Sequence, residues 1–204
     1  MMNLKEVKLL DEEYDDPLTI FALWFKLASK EEINDPNAMN VATISSHNTP
    51  SSRMILLKTF NKKGFIFNTN IKSKKGQEID LNNHVALNFH WKSLRRQVRI
   101  QGKAILLDKT AADETFNERP RESKIGAWAS KQSEYLPNRQ ILNKRYFHLE
   151  NLFKDKEIER PAFWSGYRVI PDFYEFWWDV KYRLHYRIVF EKNNGKWIKS
   201  MLYP

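Results

Sequence analysis

The 204-residue chain contains no cysteine. That absence removes disulfide frameworks, thiolate nucleophiles and cysteine metal centres from consideration, and no metal site is expected. Glycine is scarce, at 6 residues, and no low-complexity tract or repeat period breaks the chain, so independently folding halves on a flexible linker are not expected. No apolar run approaches the length of a membrane span, and Met1-Met2-Asn3-Leu4-Lys5-Glu6 lacks the apolar core of a secretory signal. A cytoplasmic protein without a membrane partner is the expectation. What is present is 42% hydrophobic residues, with aromatic residues making up 14% of the chain, enough for one domain over residues 17–204 after an acidic, mobile lead-in over 1–16. The net charge of +9 points to an anionic partner. Its basic residues are spread from Arg53 to Arg187 among apolar ones, unlike the concentrated basic arm of many nucleic-acid binders.

The densest chemistry lies in Ser51-Ser52-Arg53-Met54-Ile55-Leu56-Leu57-Lys58 and in Gly64-Phe65-Ile66-Phe67-Asn68-Thr69-Asn70, followed by Ser73-Lys74-Lys75-Gly76. Two short apolar runs separated by Asn61-Lys62-Lys63-Gly64 read as an antiparallel hairpin. Its ends gather cations, hydroxyls and an amide, the groups that complement phosphate; solvated charges at strand ends are the alternative. A helix starting near Ser73 would add free N–H groups to the same place.

Elsewhere the pattern predicts a helix from Pro17 with Ile20, Leu23, Trp24, Leu27 and Ala28 on its inner face, then a strand over Ala38 to Ile44 and a turn holding a surface His47. Strands follow at Val85 to Trp91 and Arg95 to Gly102, the second with Arg95, Gln97, Arg99 and Gln101 in one row. Asp108 to Glu118 reads as a helix, residues 123–133 show neither helical nor strand period, and Asn138 to Lys154 reads as a long helix. Its stripe of Ile141, Leu142, Arg145, Tyr146, Leu149, Leu152 and Phe153 is assigned to the core, with His148 at the flank. Four C-terminal strands are expected: Trp164 to Ile170, Tyr174 to Trp178, Tyr182 to Phe190 and Lys196 to Leu202. Alternation along the third would line up Arg183, His185 and Arg187, a row suited to an anion or electron-rich ring, or to solvent.

These segments, in this order from about Asp35 to Pro204, resemble the pyridoxine/pyridoxamine 5'-phosphate oxidase family. The resemblance rests on Arg53 to Lys58, Phe67-Asn68-Thr69-Asn70, Ser73-Lys74-Lys75, Arg96-Gln97-Val98, Arg119-Pro120-Arg121-Glu122-Ser123, Ile125-Gly126-Ala127-Trp128, Lys131-Gln132-Ser133, Glu175-Phe176-Trp177 and Arg183-Leu184-His185. It implies an α+β, mainly β fold with flanking helices, the FMN-binding split β-barrel, as a homodimer with FMN in two clefts between subunits. By matching position it implies FMN contacts at Arg53, Met54, Ile55, Leu56, Leu57, Lys58, Asn68, Thr69, Lys74, Lys75, Gln97, Gln132, Ser133, Trp177 and Arg187. Substrate contacts are implied at Lys58, Thr115, Arg119 and Ser123 around the phosphate, and at the catalytic Arg183 and His185 by the ring. The implied reaction is oxidation of pyridoxine or pyridoxamine 5'-phosphate to pyridoxal 5'-phosphate, with hydride passing to flavin N5 and O2 reoxidising the flavin to give H2O2.

Departures from the family pattern are Thr115 and Asn68 where tyrosines are usual, Lys74 for arginine, Trp178 for glutamine and Tyr186 for aspartate. Lysine keeps the charge of arginine without its bidentate fork, and the threonine hydroxyl is too short to reach where a tyrosine would. These departures motivate a second reading, a non-catalytic flavin or pyridoxal-phosphate binding protein on the same scaffold. A nucleic-acid binder follows only from net charge and ranks behind both.

Overall fold

The computed structural model describes residues 14–204. The lead-in expected over 1–16 lies outside them except for its last three residues, of which Asp16 accepts hydrogen bonds from the Leu18 and Thr19 N–H groups and caps helix α1 (Pro17–Glu31). Proline at the first helical position completes a well-formed start. On α1 the buried side chains are Ile20, Phe21, Trp24 and Ala28, whereas Leu23, expected inside, is 39% exposed. Phe21 takes the central position, its ring within 6.0 Å of Phe25, Phe60, Phe65, Phe89 and Trp91.

Nine strands form one antiparallel sheet. They are β1 (Ala38–Ile44), β2 (Pro50–Leu56), β3 (Thr59–Asn61), β4 (Gly64–Asn70), β5 (His84–Trp91), β6 (Arg96–Leu106), β7 (Trp164–Trp178), β8 (Tyr186–Asn193) and β9 (Lys196–Met201). Along the main path the order is β2-β1-β5-β6-β7-β4-β3, with β8 on β7 and β9 on β8. Strands β2 and β3 stand at opposite ends of that path yet are joined by two residues, so the sheet must curl back on itself. The Lys58 N–H donates to Ile66 O at 2.8 Å at this closure. Helix α2 (Lys74–Leu81) follows β4, while α3 (Lys109–Asn117), α4 (Arg121–Ala129) and α5 (Arg139–Leu152) stand between β6 and β7. Among the described residues no helix is long and apolar enough to cross a membrane.

Several expectations are corrected. The run Ser51 to Lys58 pairs along its strand with β1, not with β4; the hairpin is β3–β4, closed through Gly64. Local order in the sequence suggested the neighbouring run, but the inward alternation of β1 offers a longer register, seven pairs from Ala38↔Leu56 to Ile44↔Pro50. Strand β7 runs unbroken through Pro171, with a register shift at Gln101/Gly102 in β6 absorbing the irregularity. Of residues 123–133, read as aperiodic, the first seven lie in α4, which begins at Arg121. Helix α5 buries no residue fully; Tyr146, Leu149 and Phe153 are only partly covered, against a small second cluster of Phe116, Ile125, Ile158 and Trp164. The proposed strand from Tyr182 begins only at Tyr186, because Tyr182 and Arg183 both adopt φ 62°, which breaks the alternation. Arg95, at φ 52°, precedes β6 and leaves the polar row as Gln97, Arg99 and Gln101.

The long strand β7 organises the rest. Strand β6 pairs with it from Arg96↔Trp178 to Leu106↔Tyr167, while its other edge is shared: β4 takes residues 164–169 and β8 takes 173–178. What sits beside β4 is therefore held far along the same strand from what sits beside β8.

Candidate active site

The β4 end of β7 carries a cation cluster built on three elements. Ser73 caps α2, its Oγ accepting from the Gly76 N–H, and this turn brings Lys75 back under β4. Gly76 is required for that close approach, since a Cβ there would lie 2.1 Å from Ile71 O. Lys75 is 7% exposed and donates to Thr69 Oγ1 (3.0 Å), Gln132 Oε1 (3.1 Å) and Ser73 Oγ (3.3 Å). All three are neutral oxygens. Burial, reinforced by the nearby Arg53 charge and opposed by Glu78, lowers the Lys75 pKa to about 8.

Arg53, on β2, donates from Nη1 to Thr43 Oγ1 at 2.6 Å and from Nη2 to Ser51 Oγ at 2.7 Å and Glu78 Oε2 at 3.1 Å. Glu78 is buried, and the same oxygen accepts from Thr43 Oγ1 (2.5 Å) and Ser51 Oγ (2.7 Å). Burial pushes its carboxyl up, but these hydroxyls and the guanidinium prevail and hold it below the usual range. Glu78, Thr43 and Ser51 were not identified from the sequence as a group. The available signal was the Lys74–Glu78 spacing of four on a helix that opens with two lysines, which places a carboxylate beside the cations.

Two abutting cavities of about 350 Å³ each open beside this cluster, the first of them reaching Lys75. They share Ile55, Asn68 and Arg119. One is lined also by Thr69, Lys75, Ser123, Gln132 and Trp164, the other by Leu56, Leu57, Lys58 and Thr115. Arg119 stands between them with its guanidinium 5.1 Å from the Trp164 ring centroid and Nη2 donating to Ser123 O at 3.1 Å. Its Nε is buried and has no partner among the described residues, and burial lowers its pKa. An unpartnered guanidinium N–H and a desolvated ammonium, each opening on a cavity, are what an anion-binding site requires. The chain's donor set thus fits two phosphate groups side by side.

The remaining candidates are placed as follows. Lys58 pairs with Glu118 at 2.6 Å, and the Thr115 hydroxyl turns back to Ala111 O and Ala112 O, both 3.1 Å. Leu57 is in the core, Met54 is 63% exposed on the opposite side of β2, and Lys74 points outward with only Glu78 Oε1, 3.9 Å away, as an ionic neighbour. Ser133, at φ 75°, lines a third cavity between the end of α4 and α5 that shares Ser130 and Gln132 with the first.

Gln97, Trp177, Arg183, His185 and Arg187 are not part of this cluster, and none lines either cavity. They gather at the other end of β7, where Gln97, Trp177 and Arg187 are cross-strand neighbours and the His185 ring lies 4.8 Å from that of Trp177. Beneath them the buried Glu175 accepts from Arg99 Nη1 at 2.6 Å and Arg187 Nε at 2.7 Å. Hydrogen bonding to Glu175, countered by burial, raises the Arg187 pKa.

A curled antiparallel sheet with helices appended, bearing a phosphate-suited cleft, defines a split β-barrel protein. Residues 25–152 match the family model described as pyridoxamine 5'-phosphate oxidase, and residues 164–204 match that of the pyridoxine 5'-phosphate oxidase C-terminal dimerisation region. The chain is 49% identical over 196 residues to a pyridoxine/pyridoxamine 5'-phosphate oxidase of Caulobacter vibrioides, covering 96% of this chain and 87% of that protein. It is 46% identical over 201 residues to the protein of that name from Gluconobacter oxydans, covering 98% and all of the two chains. Among solved structures, PhzG from Burkholderia lata 383, in complex with tetrahydrophenazine-1-carboxylic acid, superposes with a TM-score of 0.90 at 29% identity over 95% of each chain. The chain belongs to the pyridoxamine 5'-phosphate oxidase family.

Proposed function

We propose that this protein oxidises pyridoxine 5'-phosphate and pyridoxamine 5'-phosphate to pyridoxal 5'-phosphate with FMN as cofactor and O2 as final acceptor, releasing H2O2, as a cytoplasmic homodimer of one domain over residues 17–204. The observation that carries the reading is the pair of adjoining cavities: one holds the buried Lys75, the other opens on Lys58, and Arg119 stands between them. A phosphorylated cofactor and a phosphorylated substrate need two such sites next to each other.

When bound, the flavin supplies at N5 the acceptor for the hydride leaving the substrate C4' carbon, and afterwards passes the electrons to O2. Arg53 and Lys75, with the exposed Lys74 at the rim, neutralise the FMN phosphate, and Thr69 completes its shell. Residues 55–58 and Asn68 would form the wall of the cofactor site, with Met54 facing away from it, and Gln132, Ser133, Gln97, Trp177 and Arg187 would meet the polar atoms and ring of the cofactor. Arg119, Ser123 and Lys58 hold the substrate phosphate. The Thr115 hydroxyl is already committed to its own helix, so Lys58 must exchange Glu118 for that phosphate. Arg183 and His185 orient the substrate ring and favour the charge that develops on it.

The two groups sit at opposite ends of β7, which supports a site assembled from two copies, one contributing the cavities and the other Gln97, Trp177, Arg183, His185 and Arg187. The dimerisation region matched by residues 164–204 is consistent with this arrangement.

The test is anaerobic mixing of FMN-loaded protein with pyridoxine 5'-phosphate, and separately with pyridoxamine 5'-phosphate, while flavin absorbance is followed. Bleaching, with colour and peroxide returning on admission of air, is the expected result, and Arg183→Ala slows the bleaching while FMN stays bound. Bound flavin that neither compound reduces would sink the substrate assignment and leave the non-catalytic reading.

A further inference from the structure

The turn between β7 and β8 holds a network that the proposed roles leave unused. Asp179 Oδ1 lies 3.0 Å from His185 Nδ1, and its other carboxylate oxygen pairs with the Arg95 guanidinium. The Asp179 N–H donates to Arg95 O at 3.1 Å, so both backbone and side chain tie this turn to the residue that precedes β6. The Trp177 ring lies 4.8 Å from that of His185, tilted by 44°. Only 18% of the Asp179 side chain and 16% of that of His185 is exposed.

A second group competes for the same ring nitrogen. The Val180 N–H donates to His185 Nδ1 at 3.2 Å, whereas Asp179 is related to the same nitrogen by distance alone. A carboxylate only accepts and a backbone N–H only donates, so Nδ1 serves Asp179 when it carries a proton and Val180 when it is bare. The charge-assisted bond to the carboxylate is about twice as strong as the neutral one, and a bare Nδ1 would turn its lone pair toward a negative charge.

We infer that Asp179 is a positioning residue: it keeps the His185 proton on Nδ1, so that in the neutral ring Nε2 is the acceptor offered to a hydroxyl or amine of the substrate. The inference rests on the reading of His185 as a substrate-facing group. Trp177 sets the plane of the ring, Asp179 its tautomer, and Arg95 the place of Asp179. A carboxylate behind a histidine acts in this way wherever the far nitrogen must present a lone pair.

The experiment uses FMN-loaded protein with 15N-labelled histidine, at pH 9, where an ordinary imidazole is neutral. Two-bond proton–nitrogen correlation spectra report which nitrogen is protonated, with the His185 signals identified by their loss in His185→Gln. The wild type is expected to show Nδ1–H and a bare Nε2. In Asp179→Asn the proton is expected to move to Nε2, with Nδ1 accepting from Val180. Flavin reduction by saturating pyridoxine 5'-phosphate should then slow by at least about tenfold, with FMN affinity changed by less than about twofold. Asp179→Glu should restore the Nδ1–H form at least in part, Arg95→Ala should retain it, and Asp179→Ser replaces the Asn variant if that one does not fold. An Nε2–H wild type, an unchanged tautomer in Asp179→Asn, a switch in Arg95→Ala equal to that in Asp179→Asn, or a switched tautomer with undiminished reduction would each overturn the inference. A wild type that reduces its flavin with neither vitamer phosphate overturns the proposed function instead, while the spectra still decide the tautomer.

Discussion

With Lys75 in its proposed place at the FMN phosphate, its buried ammonium should make FMN affinity depend on pH. Without ligand its pKa is about 8, because it is desolvated, faces Arg53, and has only neutral oxygens as hydrogen-bond partners. A phosphate dianion beside it returns the pKa toward or above the ordinary lysine value near 10.4. Binding therefore takes up a proton at any pH above about 8, and the Kd for FMN should rise toward a tenfold change per pH unit. Relative to pH 7, that is roughly tenfold weaker binding at pH 9 and roughly 30-fold at pH 9.5. Between pH 7 and 8 the curve stays nearly flat, since a phosphate monoester loses its second proton near pH 6. Stability of the FMN-free protein runs the other way. The folded-state pKa is below the unfolded one, so the unfolded chain binds more protons between pH 8 and about 10.4, and unfolding becomes harder as pH rises through that window, by about 3 kcal/mol when complete. Quenching of flavin fluorescence from pH 6.5 to 9.5 at constant ionic strength measures the first effect, and urea denaturation of the FMN-free protein measures the second. Lys75→Gln should flatten both. Glu78→Gln removes the one charge that raises the Lys75 pKa, so weakening of FMN binding should set in below pH 8. A wild-type Kd that is constant from pH 7 to 9.5, or a slope that survives in Lys75→Gln, would refute the reasoning.

Two further outcomes are expected. Arg119→Ala should raise the half-saturation concentration for pyridoxine 5'-phosphate by about 30-fold or more, the loss of about 2–3 kcal/mol of charge-assisted bonding, and an unaltered value in steady-state assays would count against the phosphate assignment. The departures Trp178 and Tyr186 turn out to be cross-strand partners whose rings stack at 4.5 Å and 13°, so a denaturation cycle with Trp178→Gln, Tyr186→Asp and the double variant should give a coupling of about 0.5–1.5 kcal/mol; additive losses would show that the stack contributes nothing.

Much of the local structure was legible because it depends on local rules. The seven residues Ala38–Ile44 alternate between turn signals, and the strand has those bounds. Ser73 was expected near the start of a helix and is its cap, because a short hydroxyl side chain satisfies the free N–H of Gly76. What escaped depends on distant partners. The curl that joins β2 to the far end of the sheet cannot be read from the run Ser51 to Lys58, and α4 hides its period because Gly126, Ala127 and Ala129 offer little apolar contrast. From Tyr182 to His185 the letters alternate as a strand would, yet the backbone turns left-handed at two of them, which period alone cannot show. Glu78 became visible only when Thr43, Ser51 and Arg53 from two other strands closed around it.

The two clusters are coupled through β7 itself. Its start presents Ser165 and Gly166 to Thr69 and Asn68, with no room for a side chain at Gly166, where a Cβ would meet Asn68 Oδ1 at 2.6 Å. Its end presents Glu175, which locks Arg99 and Arg187, and Trp177, which supports His185. One fifteen-residue strand, mostly buried, thus ties the groups proposed to face phosphate and those proposed to face the substrate ring to one frame. In a site shared by two copies, that frame would transmit any rotation of one subunit against the other directly into the distance between cations and ring-facing groups. Positioning on strands rather than loops is what such a site requires, because a displacement of about 1 Å is enough to cost catalysis two orders of magnitude.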